Sequence, residues 1–308
     1  VTINYGLLTA DEDDVEGFTE METLDSEAAA AFAKEVNVGQ NIDIASDGDV
    51  YNILLIGSDT RNGWYGNSDS MILASINSQT KTIYMTSFMR DLYANIPNVG
   101  IRKLNSAYAV GGGPLLVSTI ESNYRVDIDN YASVDFSSMA SIIDMVGGVD
   151  LEVSTQEAGY INMYLDEQCR LQGLNASDYY VAGGGITHLN GNQAVGFARI
   201  RYTSRGNEHS DYGRTSRQRE ILVQLMQKAR SLDATTLLAV VNNMLPLITH
   251  NIDAATLTTL IANAPSYINY DIQTDRIPYD GLYSNLGEEL VPDFEATINR
   301  LHQTIYGN

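Results

Sequence analysis

The sequence predicts a layered α/β fold, and three observations support this prediction. Short apolar runs of strand length begin at Val50, Met71 and Ile83. Longer segments with apolar residues at helical spacing alternate with further strand-like runs, as in folds where helices cover a sheet. The chain has 308 residues and is 44% hydrophobic, which is enough to form the core of one large domain or of one domain with a tail.

The first part of the chain differs in composition from the rest. Residues 1–49 are acidic and rich in alanine, and we interpret them as an N-terminal stem or lead-in with a short helix over Ser26 to Lys34. Residues 50–308 are expected to form a single domain. The chain begins with Val1 instead of Met and shows neither a signal peptide nor an apolar run of the ~18 residues that span a bilayer. We therefore expect the true N-terminus to lie upstream of this sequence.

The predicted elements follow one another in a regular order. A first strand from Val50 leads into a loop, and two further strands are joined into a hairpin by a turn over residues 77–80. A glycine run over residues 111–113 breaks a helical stretch, and Pro114 starts a new helix. The later predictions are strands over 131–136, 147–153 and 270–277, and helices over 137–146, from 189, 214–229, 235–245, 254–262 and 293–306.

One segment, residues 155–185, shows no clear period. It is rich in Tyr, Asn, Gly and Gln and contains Cys169, the one cysteine of the chain. We interpret it as an irregular excursion over one face of the domain and as a candidate lid. A single cysteine excludes an intrachain disulfide, so the fold must rest on its core.

The charge of the chain excludes general affinity for nucleic acid. Its net charge is −21 at pH 7, so there is no positive field that could bind DNA without regard to sequence. An anionic ligand must therefore be bound by a local group of basic residues. Six arginines, a third of the 18 basic residues, form such a group at positions 199, 201, 205, 214, 217 and 219.

Charged residues stand at the ends of the first three strands. Asp59 follows the first apolar run, Asp69 precedes the second, and Arg90-Asp91 follows the third. Carboxylates suit a hard cation such as Mg²⁺ and arginine suits phosphate oxygens, so this pattern indicates metal-assisted chemistry on a phosphate ester. The alternative interpretation is that these residues are solvated strand ends.

The spacing of the clustered arginines predicts which of them act together. Arg199 and Arg201 share a face only if the backbone is extended, so we expect them on a strand or at its end. Arg214 and Gln218 share a face if they lie on a helix. Helical periodicity points Arg217 and Arg219 away from Arg214, and we expect those two on a solvated helix face.

Seven short motifs follow one another along the chain. They are the runs at 52–59, 68–71, 87–91, 103–108, 147–150, 198–201 and 213–218, which read NILLIGSD, SDSM, SFMRD, KLNSAY, GGVD, ARIR and GRTSRQ. In this order they resemble the LytR-CpsA-Psr family. The similarity covers residues 50–230 closely and the C-terminal helices loosely.

The resemblance implies a fold and an activity. The fold is a layered α-β-α arrangement with a central mixed sheet flanked by helices. The activity is a phosphotransferase reaction at the extracytoplasmic face of the cell membrane, with a pyrophosphatase side activity. A glycopolymer such as teichoic acid or capsular polysaccharide moves from an undecaprenyl pyrophosphate carrier to peptidoglycan, with Mg²⁺ or Mn²⁺ as cofactor and an N-terminal anchor in the membrane.

The resemblance also implies roles for individual residues. Asp59 and Asp69 resemble the metal ligands of the family. The pyrophosphate-binding residues would be Arg90, Arg199, Arg201, Arg214 and Gln218, and the catalytic residues would be Arg90, Asp91 and Asp211. Asp91 is our first candidate for a base that accepts the proton of the incoming hydroxyl, with Asp211 as second choice. Alternatively, Asp91 only orients an arginine.

Two positions depart from the family pattern. Asn67 stands where the family usually has arginine, which should weaken phosphate binding unless Arg61 or Arg102 takes its place. Met89 replaces the usual proline before Arg90 and relaxes the backbone there. No histidine has ligand spacing, although His209 lies near Asp211 in sequence.

The lipid part of such a substrate would need an apolar slot. Two predicted helices could line it or could equally belong to a closed core. The candidate slot residues are Leu116, Ile120, Met139, Ile142, Ile143 and Val146.

Two other functions stay open at this stage. One is a non-catalytic envelope module that only binds anionic polymer or polyprenyl lipid. The other is a transcriptional attenuator, which the net charge of −21 and the absence of a basic recognition helix in the sequence argue against.

Overall fold

A computed structural model describes residues 32–34, 36, 39–58, 66–173, 175–205, 210–286 and 289–307. Its centre is a six-stranded mixed sheet with the order β10-β3-β2-β1-β6-β9. The bounds of these strands are β1 Val50–Ser58, β2 Ser68–Asn77, β3 Thr82–Phe88, β6 Asn130–Asp135, β9 Thr249–His250 and β10 Asp271–Ile277.

Smaller sheets and helices surround this centre. The strands pair as β4 Tyr93–Ile96 with β5 Gly100–Lys103, β7 Val149–Val153 with β8 Gly185–Leu189, and β11 Tyr283–Leu286 with β12 Glu289–Pro292. The helices are α1 Ser106–Tyr124, α2 Phe136–Met145, α3 Thr155–Gln172, α4 Gly191–Ala198, α5 Ser210–Arg230, α6 Ala234–Met244, α7 Ala254–Tyr267 and α8 Phe294–Tyr306.

The pairing of the central strands confirms the mixed sheet. β1 and β2 are antiparallel, as are β2 and β3, so the predicted hairpin is present with its turn between Asn77 and Thr82. β6 runs parallel to β1, and β10 runs parallel to β3. The parallel strands reach the sheet through helical crossovers, as the alternating sequence pattern predicts.

Both faces of the sheet are covered by helices, which confirms the α-β-α layering. On one face Leu54 and Ile56 of β1 belong to a core shared with α1 and α8. Their neighbour Leu55 points to the opposite face, because successive side chains of a strand alternate. There it belongs to a cluster with Ile72 and Met85 that packs against α5 and α7.

Part of the segment expected to be a lead-in packs into the first core. Phe32 is buried, and its ring makes edge contacts with Tyr93 and Phe294 at centroid distances of 5.8 and 5.7 Å. Val36 is buried in the same core, and Ala45 forms a parallel bridge with Val126. In the described ranges, no helix combines the length and apolar character needed to cross a membrane.

The prediction of an irregular excursion over 155–185 is wrong for most of its length. Residues 155–172 form the helix α3, which begins with a capping box between Ser154 and Glu157. Its buried stripe, Ala158, Ile161, Leu165 and Cys169, has the spacing of a helix face. The many polar residues between these positions hid that period. Residues 176–179 then form a short 3-10 turn.

Helix α4, which leads to Arg199, starts in close contact with α2. The Gly191 N–H donates to the Asp144 carboxylate at 2.7 Å. A Cβ at Gly191 would lie 2.0 Å from the backbone oxygen of Ala140, so only glycine fits between the two helices.

We predict that Gly191→Ala lowers the free energy of unfolding by about 1–3 kcal/mol, because the clash involves backbone that cannot move freely. Urea denaturation measures the change. Gly159 is the matched control: it lies exposed in α3, and a Cβ there would meet no other atom within 4 Å, so Gly159→Ala should stabilise the helix by about 0.5–1 kcal/mol. Equal effects of the two substitutions would contradict the proposed contact.

Candidate functional site

Asp69 lies at the centre of a group of arginines. It occupies an irregularity between β1 and β2, where Gly57 pairs with Ser70 but Ser58 pairs with Ser68. Asp69 is therefore the extra residue, and such bulges redirect side chains at strand ends. Its carboxylate oxygen Oδ1 accepts hydrogen bonds from Arg201 Nη2 and Arg214 Nη1, each at 3.1 Å.

A third arginine approaches the same oxygen from the end of β3. Arg90 Nη1 lies 3.7 Å from Asp69 Oδ1, and Arg90 Nε donates to Asp211 Oδ2 at 2.8 Å. Asp211 also accepts from Arg214 Nη2 at 3.3 Å. Two aspartates thus hold the three arginines close together, as the strand-end pattern and the arginine cluster predict.

Helix α5 supplies one wall of the site. Asp211, Arg214 and Gln218 lie three and four residues apart and therefore share a face, which confirms the helical spacing expected for Arg214 and Gln218. Gln218 Nε2 lies 3.4 Å from the backbone oxygen of Asp69. Arg214 is almost fully buried by these contacts.

Arg199 is fixed by aromatic rings. Its guanidinium carbon lies 5.0 Å from the ring centre of Phe136 and 4.9 Å from that of Tyr164. The Tyr164 hydroxyl donates to the Arg199 backbone oxygen at 3.2 Å, and Glu167 lies 3.7 Å from the guanidinium. The expectation that Arg199 and Arg201 lie on a strand or at its end is wrong, because Arg199 is the C-terminal cap of α4 in helical conformation and Arg201 lies in the irregular backbone after it.

Burial and charge shift the pKa values of the central groups. Burial lowers the pKa of Arg214 to about 10, against the attraction of Asp211. Burial alone would raise the pKa of Asp211, but Arg214 and Arg90 outweigh it and lower the pKa. Burial would also lower the pKa of Arg90, and the surrounding aspartates outweigh it and raise the pKa. The salt-bridged charges therefore stabilise one another.

Asp91 behaves differently from Asp211. Burial and a hydrogen bond with Asp211 raise the pKa of Asp91, although Arg90 attracts its ionised form. Its carboxylate lies 3.4 Å from Arg90 Nε and 3.4 Å from Lys103 Nζ. The two carboxyl groups thus differ, with Asp211 ionised and Asp91 able to hold a proton at a higher pH.

Two neighbouring cavities share lining residues around Asp69. The smaller one, the arginine cavity, has a volume of about 170 Å³ and the larger one, the apolar cavity, about 470 Å³. Asp69, Phe136, Ala198 and Gln218 line both of them. The rest of the arginine cavity is formed by Tyr164, Arg199, Arg201, Tyr202 and Arg214.

The apolar cavity lies between the sheet and helices α2, α5, α6 and α7. Four predicted slot residues line it, namely Met139, Ile142, Ile143 and Val146. The other two predictions are wrong: Leu116 and Ile120 are fully buried in the core on the opposite face of the sheet. Sequence periodicity identified apolar helix faces but could not tell which side of the sheet each helix covers. Helix α5 also contributes Leu222, Leu225 and Met226 to the lining.

Some predicted residues lie outside the described part of the chain. These are Asp59, the second predicted metal ligand, together with Arg61 and His209. Asn67 is exposed, and Arg102 lies on β5 opposite Ala94. Among the described residues there is no group of three or more His, Cys, Asp or Glu side chains that could hold a metal.

The prediction that Arg217 and Arg219 lie on a solvated helix face is wrong. Arg217 is 0% exposed and donates to Glu157 Oε1 at 2.9 Å. It also donates to the backbone oxygens of Ile200, Thr203 and Ser204 at 3.3, 3.1 and 3.1 Å. The two residues are two positions apart on α5 and therefore point to different sides of the helix, and both of these sides face protein. Arg219, also buried, donates to Ser87 Oγ at 3.0 Å.

These contacts fix the segment that carries two site arginines. We name residues 199–205 the clamped segment, because Arg217 binds its backbone at three places. Glu157 is buried beside it, and hydrogen bonds from Ser154 and Arg217 lower its pKa although burial would raise it. The sequence signal for Glu157 was the Ser-x-x-Glu capping box that starts α3.

Comparison with known proteins places this geometry in a family. A model described as the LytR_cpsA_psr family matches residues 17–300. Polyisoprenyl-teichoic acid–peptidoglycan teichoic acid transferase TagU of Oceanobacillus iheyensis is 34% identical over 287 residues, which are 89% of this chain and 79% of the relative. Regulatory protein MsrR of Staphylococcus aureus is 33% identical over 205 residues, 66% of this chain and 56% of the relative. The chain thus matches little more than half of MsrR.

A solved structure has the same fold. It is described as LytR-CPS2A-psr family protein YwtF (TagT) with bound octaprenyl pyrophosphate lipid. The match has a TM-score of 0.59 at 21% identity and covers 88% of this chain and 96% of the other.

The buried pair between Arg217 and Glu157 should matter for stability. We predict that Arg217→Met lowers the free energy of unfolding by about 3–5 kcal/mol, because it leaves a buried carboxylate without its main partner. Arg170→Met is the control, since Arg170 is exposed in the last turn of α3 and its replacement should cost less than about 1 kcal/mol. Similar losses in the two variants by urea denaturation would exclude a special role for Arg217.

The raised pKa of Asp91 predicts a pH-dependent stability. The folded protein holds this proton more tightly than the unfolded chain, so its contribution is present below the ordinary pKa of aspartate and is lost as the pH rises through the raised pKa. Asp91→Asn replaces the acid with a neutral amide that can still donate to Asp211. The variant should match the wild type below the ordinary pKa of aspartate and become more stable than it as the pH rises through the raised pKa, with no further gain above that pKa. Urea denaturation at several pH values measures the difference in free energy of unfolding between the variant and the wild type. A difference that does not change with pH would contradict the raised pKa of Asp91.

Proposed function

The chain belongs to the LytR-CpsA-Psr family, and from this membership we propose that it transfers a glycopolymer from a polyprenyl pyrophosphate carrier to peptidoglycan. The observation that carries the proposal is the junction of the apolar cavity with the arginine cavity at Asp69 and Gln218. A ligand that fills both must join a long apolar chain to an anionic group. A polyprenyl pyrophosphate has this chemistry, and the relative TagU is named as a polyisoprenyl-teichoic acid transferase.

The arginines would bind the pyrophosphate. A planar guanidinium can donate two parallel hydrogen bonds to phosphate oxygens, which lysine cannot do. Arg199, Arg201 and Arg214 line the arginine cavity. Arg90 lies beside this cavity, with its Nη1 3.7 Å from Oδ1 of the lining residue Asp69. Fixed cations at these positions would stabilise the charge that develops on the phosphoryl oxygens during transfer.

We propose Mg²⁺, or Mn²⁺, as the cofactor. Carboxylate oxygens are the ligands that Mg²⁺ prefers, and the three arginine contacts that described residues make with Asp69 all fall on Oδ1, so that among these residues Oδ2 is open to a metal. The Asp69 carboxylate would repel a pyrophosphate bound beside it. A cation between the carboxylate and the phosphate oxygens would remove this repulsion. Asp59 is the proposed second ligand. When bound, the metal would neutralise charge on the phosphate oxygens.

The aspartates beside Arg90 would handle the proton of the incoming hydroxyl. A base works best when its pKa is close to the operating pH, and the pKa of Asp91 is raised whereas that of Asp211 is lowered. Asp91 is therefore the better candidate, and Asp211 holds Arg90 in place through the 2.8 Å hydrogen bond. The leaving polyprenyl phosphate is a weak base at neutral pH and needs no acid.

The setting of the reaction follows from the proposed substrates. Peptidoglycan and its lipid-linked donors occur at the outer face of the cell membrane, so we propose an extracytoplasmic domain held there by an N-terminal anchor. A pyrophosphatase side reaction would result when water takes the place of the sugar hydroxyl. A non-catalytic module that only binds the lipid is the alternative, and turnover separates the two.

Arg201→Ala should weaken the binding of octaprenyl pyrophosphate about 10- to 150-fold, the range for losing one charge-assisted contact. Isothermal titration calorimetry in detergent with Mg²⁺ measures it. Octaprenyl pyrophosphate is a suitable probe because TagT, which shares the fold, is described with it bound. Arg170→Ala removes an exposed arginine that lines neither cavity and should leave the affinity unchanged.

The same proteins test catalysis. The wild type should release polyprenyl phosphate from a lipid-linked glycan donor when peptidoglycan is present, and EDTA should stop the release. Binding without turnover would support the non-catalytic module instead. If the wild type does not bind octaprenyl pyrophosphate at all, the proposed substrate class is wrong.

A further inference from the structure

Tyr202 is an exposed aromatic residue at the arginine cavity. Its side chain belongs to the lining beside Arg199 and Arg201, yet the residue is 69% exposed. Its ring lies against Tyr160 of α3, with the centroids 5.9 Å apart and the planes inclined by 35°. One face of Tyr202 is therefore supported, while much of its surface remains in water at the edge of the arginine cavity.

The backbone around Tyr202 is held rigidly. Arg217 donates to the backbone oxygens of Ile200, Thr203 and Ser204, which flank Tyr202 on both sides. Thr203 Oγ1 also donates to Gln156 Oε1 at 3.3 Å. Because a buried ion pair anchors this part of the clamped segment, the backbone that carries the exposed ring is held in place before any ligand arrives, which reduces the entropy lost on binding.

The position of Tyr202 relative to the two cavities indicates which part of a ligand it meets. The apolar cavity and the arginine cavity share Asp69, Phe136, Ala198 and Gln218, whereas Tyr202 lines the arginine cavity and is not among the residues of the apolar one. If the lipid occupies the apolar cavity, the group on the far phosphate must leave the arginine cavity by another route. Tyr202 lies on that side.

We propose that Tyr202, supported by Tyr160, is a subsite for the sugar ring attached to the second phosphate of the donor. This inference rests on the proposed function and specifies how its glycan is recognised. A pyranose ring presents C–H groups on its faces, and these pack favourably against the electron-rich face of an aromatic ring. The subsite distinguishes a glycan-bearing pyrophosphate from a bare polyprenyl pyrophosphate.

Two ligands and two variants test the subsite. The ligands are octaprenyl pyrophosphate and the same lipid carrying an N-acetylated disaccharide on its second phosphate, each titrated in detergent with Mg²⁺. Tyr202→Ala should weaken binding of the disaccharide-bearing lipid about 3- to 10-fold and leave that of the bare lipid within about twofold. Tyr202→Phe keeps the ring and should bind both ligands like the wild type.

Tyr180→Ala is the matched control, because Tyr180 is an exposed tyrosine that lines neither cavity. It should change neither affinity. Equal weakening of both ligands by Tyr202→Ala, or no weakening of either, overturns the subsite while the proposed function stands. Failure of the wild type to bind the bare lipid is a different result, which overturns the proposed function and the subsite with it.

Discussion

Guanidinium groups repel one another, and this site brings three of them to a single carboxylate oxygen. Arg90, Arg201 and Arg214 come from a strand end, a clamped segment and a helix, and Asp69 Oδ1 is their common partner. Removing water from a charged arginine is costly, as the lowered pKa of the buried Arg214 shows. The aspartates offset this cost, so the arginines can cluster only because the aspartates are present. This role is separate from that of candidate metal ligands. The arginine side chains are consequently arranged before a substrate enters.

The cluster also gives an acidic protein a local site that could attract the proposed anionic ligand. With a net charge of −21, the chain as a whole repels phosphate, and attraction is restricted to a cavity of about 170 Å³. Affinity there cannot come from charge alone. The adjoining apolar cavity of about 470 Å³ adds hydrophobic binding, so that only a ligand with both properties should bind well.

The sequence predicted most elements of the fold, because hydrophobic period depends on local geometry that each strand or helix carries by itself. It also indicated Asp69, Arg90, Arg201, Arg214 and Gln218, which the structure brings together. What it missed depends on tertiary neighbours. Periodicity could not show that α3 and the clamped segment cover Arg217, nor that Leu116 lies across the sheet from the apolar cavity.

The depth at which Glu157 and Arg217 are buried has a consequence for ionic strength. Mobile ions screen exposed charges, and the effect is far weaker for a pair that solvent does not reach. Arg217 is 0% exposed and Glu157 2%, so salt would weaken the attraction between the proposed pyrophosphate ligand and the arginine cavity without loosening the segment that holds Arg199 and Arg201. The positions of the site arginines therefore do not depend on ionic strength, whereas the electrostatic attraction of an anionic ligand does. A change in salt concentration would alter the affinity and leave the arrangement of the site unchanged.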